Sequence, residues 1–252
     1  MSNATRIKCH WENGIQRFYV DSTDETVQAM APLWFKEDFL GEGGLELGNT
    51  VDRWEKVEVG SGTVGLLANT ASGVMNLHIA NTTEAEDAVL YWGDQTSIDV
   101  LNDVQFECRL AVVGTTAAAV TAVWGMCGDH DLDKDTVAEA AWFRLQGSNV
   151  LVCETDDGTA SELNDQATGL TLVTAVYHIY RIDFSDLSDV KFFVDGARVA
   201  KTSVFDLNDL TTTTGLMQPY FSLDKASAAG TADLYLDYVS MWGTRSSLVS
   251  NS

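Results

Sequence analysis

The sequence predicts an all-β fold: a sandwich of two antiparallel sheets preceded by an N-terminal β-hairpin arm. Three observations carry this. Short runs of alternating apolar and polar residues recur along the 252 residues, with only two prolines, Pro32 and Pro219, to interrupt them. Consecutive runs are joined by two- or three-residue turns such as Asn13-Gly14 and Asp195-Gly196, which connect antiparallel strands and are too short for a parallel crossover. Helical periodicity is almost absent, and its weak candidate, "DTVAEAAWF", continues better into a strand through Trp142 and Phe143.

Taken in order, "RIKCHWE-NG-IQRFYVD" is a self-contained hairpin, and the polar "STDETVQAMAP" after it ends at Pro32. A lone hairpin is marginal in water, so this arm is expected to pack on the main domain or on another subunit. "VQFECRLAVV" alternates cleanly, with Val104, Phe106, Cys108 and Leu110 on one face and Gln105, Glu107 and Arg109 on the other. "AAWFRLQ-GSN-VLVCETD" reads as a hairpin with a three-residue loop, and "VKFFV-DG-ARVA" as one with a type I′ turn. In "HIYRIDF", His178, Tyr180, Ile182 and Phe184 share the core-facing side. The resulting division is an arm over 1–33, one sandwich over 34–245 and a polar tail over 246–252.

Composition sets the bounds on function. Hydrophobic residues make up 45% and charged residues 21%, and no apolar run approaches the roughly 20 residues of a membrane helix, so no membrane association is expected. The first twenty residues lack the apolar core of a secretory signal, which predicts synthesis in a cytoplasm. Cys9, Cys108, Cys127 and Cys153 are scattered without zinc spacing and are expected to stay reduced. A net charge of −22 with only 15 Lys and Arg excludes a general nucleic-acid binder, whose phosphate contacts need cations. The same charge keeps a protein soluble in a saline or crowded setting.

Further motifs place the chain near a known superfamily. Phe35, Asp38, Phe39 and Gly41 form an F-x-x-D-F-x-G start, followed by Trp54. Later come His178, Tyr180 and Ile182; then Val194, Asp195 and Gly196; then Leu236, Asp237, Tyr238 and Val239. This order, over residues 35 to 243, resembles the concanavalin A-like lectin and glucanase (laminin G-like) superfamily. The resemblance implies a two-sheet jelly roll with one concave face. The glucanases of that superfamily carry E-x-D-x-E or E-x-D-x-x-E on one strand, and the chain has neither. Glu84 and Glu86, the nearest pair, sit in a turn-like "NTTEAEDAV"; Asp233 and Asp237 are too far apart on an extended strand unless a bulge intervenes. No catalytic residue is assigned, and His178 reads as a core histidine.

Binding candidates remain. Asp129, Asp131, Asp133 and Asp135 alternate in "CGDHDLDKDTVAE" as oxygen ligands for calcium would, against the simpler reading of a solvated acidic loop. Compared with an EF-hand loop, Lys134 stands where glycine is needed and Ala140 where glutamate is needed. Trp142 and Arg144 lie on the more polar side of their strand, which predicts an exposed aromatic for a glycan or a protein. Trp11, Phe18 and Tyr19 are the candidate docking residues of the arm. Three functions follow as expectations. The first is a non-enzymatic structural virion protein: an acidic lectin-like jelly roll with a short arm resembles capsid decoration or head-fibre proteins of tailed bacteriophages. Its partners would be a major capsid protein and copies of itself, a homo-oligomer with a trimer favoured, on the capsid surface. The second is a carbohydrate-binding module, with or without the assistance of calcium. The third is a glycan hydrolase or lyase.

Overall fold

The computed structural model describes residues 6–12, 15–40, 53–70, 72–115, 119–159 and 162–245. The Asn13-Gly14 turn, Gly41 and the tail from 246 lie outside the described residues. The chain begins with β1 (Ile7–Glu12), β2 (Ile15–Val20), β3 (Thr26–Met30), β4 (Leu33–Glu37), β5 (Glu55–Val59), β6 (Thr63–Leu66) and β7 (Met75–Ile79). It continues with β8 (Glu86–Tyr91), β9 (Ile98–Asp99), β10 (Gln105–Val113), β11 (Val120–Cys127), β12 (Glu139–Gln146) and β13 (Val150–Asp157). The last strands are β14 (Leu163–Thr171), β15 (His178–Asp183), β16 (Lys191–Val194), β17 (Ala197–Arg198), β18 (Leu216–Lys225) and β19 (Ala232–Gly243). One 3-10 turn, Lys134–Thr136, is the helical element among the described residues. Among the described residues no helix is long and apolar enough to cross a membrane.

Two antiparallel sheets face each other. The first runs β17-β16-β15-β10-β19-β7-β6, with β4 also on β19, and the second runs β14-β13-β12-β11-β18-β8-β5, with β9 on β18. Alternation decides what lies between them. Phe106, Cys108 and Leu110 of β10, Tyr180 and Ile182 of β15, Trp124 of β11 and Phe143 of β12 join one continuous core. Cys108, Cys127 and Cys153 are buried free thiols and Cys9 is an exposed one. At the Asp195-Gly196 corner both residues take positive φ, 49° and 77°, as a type I′ turn requires. Opposite Arg109, β19 carries a bulge that sets Asp237 beside the Arg109 guanidinium, so Asp237 is an ion-pair partner on the outer face.

The arm differs from the sequence reading in one way, and of the two packings expected of it takes the one on the main domain. The polar stretch before Pro32 is a third strand, β3, which completes a three-stranded sheet. This sheet lies on the outer face of the first large sheet as an integral third layer. Its inward residues Ile15 and Ala29 pack with Trp242. Between the layers, Glu107 is fully buried and accepts from Thr26 N at 2.9 Å, Thr26 Oγ1 at 2.8 Å, Tyr238 OH at 2.9 Å and Arg17 Nη2 at 3.3 Å. Four donors on one carboxylate are what a buried charge requires. The strand period then divides the predicted docking residues. Tyr19 shares the inward face with Arg17, whose guanidinium lies 5.2 Å from its ring, whereas Trp11 and Phe18 turn outward.

Candidate functional site

The outer face of the second sheet gathers most of the site residues that the sequence suggested, in an arrangement the sequence did not disclose. Register places Glu55, Tyr91, Tyr220, Gly125, Trp142 and Glu154 in one row across six strands. A Cβ at position 125 would fall 2.8 Å from Trp142 Cβ. Glycine there lets the Trp142 and Tyr220 rings meet with centroids 6.0 Å apart. Such a row has the makings of a sugar platform, yet residues 128–138 lie across it as a strap.

The strap is held at several points. Lys134, 5% exposed, reaches Asp224 Oδ1 at 3.0 Å and Asp87 Oδ1 at 3.6 Å. Asp135 accepts from Arg144 Nη1 at 2.7 Å, Tyr220 OH donates to Asp131 O at 3.3 Å, and His130 packs 4.2 Å from the Tyr91 ring. Val137 joins the apolar cluster of Tyr91, Trp142 and Tyr220 beneath it.

Two expectations are corrected here. Trp142 and Arg144 do lie on the polar side of β12, but they are 3% and 7% exposed because the strap covers that side. Trp142 Nε1 donates to Glu154 Oε2 at 2.8 Å, and Arg144 Nη1 lies 3.2 Å from the same oxygen. The four aspartates do not converge. Asp131 and Asp133 accept from the backbone N of Asp133 and Asp135, Asp135 pairs with Arg144, and no group of three metal-ligating side chains occurs among the described residues. An aspartate two residues before a free backbone N–H closes a local turn, which is the chemistry the alternating pattern serves here.

Burial raises the Glu154 carboxyl above the ordinary range, against the opposing pull of Trp142 and Arg144. Asp156, two residues on along the same face, is raised by burial as well. The space above them, among Lys134, Val137, Trp142 and Glu154, is about 10 Å³. That is room for about one water and for no substrate. At the end of the strap, Asp94 takes a positive φ of 57° and accepts from His130 N at 2.8 Å and Gln218 Nε2 at 2.9 Å. Burial pushes its carboxyl up, and these donors outweigh burial to hold it below the usual range. The remaining carboxylate candidates separate. Glu84 is exposed on its turn, and Glu86 is buried against Lys225.

An open cleft lies past the Glu55 end of the row, where β4 and β5 edge the sandwich. It encloses about 660 Å³ and is lined by Trp34, Phe35, Arg53, Glu55, Gln95 and Arg245, among others. Arg53 stacks over the Phe35 ring at 4.6 Å and the Trp92 ring at 5.2 Å. Arg245 Nε donates to Pro32 O at 3.0 Å. The Trp92 ring is buried, and its Nε1 has no acceptor among the described residues. Sequence reading missed this cleft because its residues come from four distant segments and form no local motif.

A second cleft of about 630 Å³ opens between β14 and the chain after β17. Here His178 Nδ1 lies 2.6 Å from Asp195 Oδ2, which corrects its reading as a core residue: it begins β15 at the cleft rim, with its side chain 22% exposed. Among the described residues that line this cleft there is no serine or cysteine.

No protein-family model and no curated protein matches the chain. Solved structures do match in fold. A protein of unknown function from Shewanella oneidensis MR-1 aligns at TM-score 0.56 and 11% identity, over 87% of this chain and 89% of that one. A glycoside hydrolase family 16 endo-glucanase from Bacteroides ovatus aligns at TM-score 0.54 and 14% identity, over 82% and 99%. The carbohydrate recognition domain of Emp47p aligns at TM-score 0.51 and 10% identity, over 77% and 89%. With its two antiparallel sheets and almost no helix among the described residues, the chain shares the jelly-roll sandwich fold of that glucanase and that carbohydrate recognition domain.

Proposed function

We propose that the chain is a non-catalytic, lectin-like domain that binds a saccharide in the open cleft at the β4–β5 edge. The observation that carries this reading is the cleft's lining: aromatic rings beside arginine, glutamate and glutamine side chains in about 660 Å³. Apolar ring faces with a few polar groups at the rim suit a ligand that has C–H faces and hydroxyl edges. The fold shared with a carbohydrate recognition domain and a glucanase supports a sugar as ligand. Against hydrolysis stands Glu154, engaged by Trp142 and Arg144 under the strap with no room for a substrate. Calorimetric titration with a panel of oligosaccharides tests the reading. Trp34→Ala is expected to weaken binding by roughly tenfold, the worth of one lost ring contact. Assays for reducing ends and unsaturated products are expected to stay flat. A wild-type protein that binds no saccharide, or that releases product, would sink it.

A second reading, a structural virion protein, is favoured by the outward face of the arm. Ile7 is 52% exposed, Trp11 68% and Met30 60%. Three large apolar side chains so exposed on one small sheet suit docking to a major capsid protein or to further copies in a homotrimer. Trp11→Asp is expected to abolish co-sedimentation with capsids and to convert any oligomer to monomer by light scattering. A wild-type chain that is monomeric and ignores capsids would rule this role out.

A further inference from the structure

The charged lining of the open cleft is out of keeping with the rest of the chain. The protein carries 37 acidic residues and 15 Lys and Arg. Most cations therefore find a carboxylate, from Lys8 with Asp21 to Lys225 with Glu86. Among the described residues only Arg6, Arg53, Lys201 and Arg245 form no ion pair, and two of these four line the one cleft. Neither guanidinium is spent. Arg53 engages the Phe35 and Trp92 faces, which leaves its edge N–H groups free, and Arg245 uses Nε on Pro32 O, which leaves its two terminal nitrogens.

We propose that the cleft selects saccharides that carry a carboxylate on the sugar ring, with Arg53 and Arg245 as the groups that hold it. The guanidinium fork matches a carboxylate through paired N–H···O bonds and is less strongly hydrated than an ammonium, so it surrenders little on contact. Trp34 offers a ring face for the sugar body, and Gln95 offers donors and an acceptor for hydroxyls. Glu55 lines the same cleft, and its carboxylate lies against Gly93, where a Cβ would be 2.3 Å from Glu55 Cδ. There it accepts hydroxyl hydrogens and repels a second acid group, which favours one carboxylate per bound ring. Because the chain is at −22, its long-range field repels anionic ligands, so selection comes from contact in the cleft and not from steering.

The inference rests on saccharide binding at this cleft, and the experiment separates the two claims. Oligouronates of galacturonate, glucuronate, mannuronate and guluronate, and the methyl ester of each, are titrated into wild type, Arg53→Gln, Arg245→Gln and the double variant. At least one acid is expected to bind about tenfold or more tightly than its ester, and the double variant is expected to erase that difference. Both arginines are exposed, so the variants are expected to keep the wild-type melting temperature. Equal binding of acid and ester, or a preference that survives in the double variant, overturns the carboxylate claim and leaves saccharide binding standing. Preference for a sulfated oligosaccharide over every uronate overturns it too. If no sugar binds at all, both claims fall.

Discussion

A single lysine shows how this acidic chain uses its few cations. Lys225, at the end of β18, is 2% exposed and donates to Ala80 O at 2.6 Å, Thr82 O at 2.9 Å and Glu86 Oε1 at 2.9 Å. It pins the 80–86 turn to the core, and Glu86 shares that burial. Burial works to raise the Glu86 carboxyl, but Thr82, Lys225 and the Ala80 N–H outweigh it and hold the group below its ordinary range. A depressed carboxylate contributes stability that is present above the unfolded range of roughly 4 to 4.5 and is lost as pH falls through the folded value. Removing the cation alone strands a buried charge. Lys225→Met is expected to cost about 3–5 kcal/mol in urea unfolding at pH 7, and Lys225→Met with Glu86→Leu is expected to recover most of it. Equal losses in the single and double variants would show that the pair does not act as a unit. None of this was legible in the sequence, where Glu86 stands beside Glu84 and its partner is 139 residues away. A carboxylate's neighbours in sequence say little about its neighbours across a sheet.

Elements were far more legible than the layers built on them. The hairpins around Asp195-Gly196 and Gly147–Asn149 fall where turn chemistry put them, and Val104 to Leu110 alternates as written, because strand period and turn type are local properties. What escaped was anything decided by a further layer. Trp142 and Arg144 lie on the face of β12 that the alternation predicts, but the strap turns that solvent face into a buried one. Likewise the arm reads as separable only while Glu107 is taken for an exposed strand residue. Glu107→Ala leaves the Arg17 charge, Thr26 and Tyr238 without their shared acceptor. The expected cost is about 3–5 kcal/mol, with faster amide exchange in β1–β3 than in β10 and β19. Unchanged exchange in the arm would mean that apolar contact with Trp242 alone holds it. By the same reasoning, deletion of residues 1–33 uncovers Glu107 and Trp242, so the truncated sandwich is expected to be less stable than the full chain.

At the scale of the whole molecule the dominant fact is a charge of −22 on 252 residues. Like charges at this density repel across the surface, and the repulsion is relieved by unfolding, which moves the charges apart. Salt shortens the reach of that repulsion from about 30 Å at 0.01 M to about 10 Å at 0.1 M. The attractions in the fold are of another kind. Lys225–Glu86 and Lys134–Asp224 are contacts at 2.9 and 3.0 Å whose lysines are almost fully buried, and screening reaches such pairs weakly. Salt therefore removes more repulsion than attraction. The melting temperature is expected to rise by several degrees between about 0.01 and 0.5 M NaCl, within what a change of about 1 kcal/mol produces at this size. A fall would mean that exposed ion pairs dominate. Calcium sharpens the same measurement. With no cluster of three ligating side chains among the described residues, millimolar CaCl2 and MgCl2 at matched ionic strength are expected to shift the transition equally. A larger shift with calcium would restore Asp129, Asp131, Asp133 and Asp135 as ligands and require the strap to rearrange around the ion, since Asp135 would have to leave Arg144.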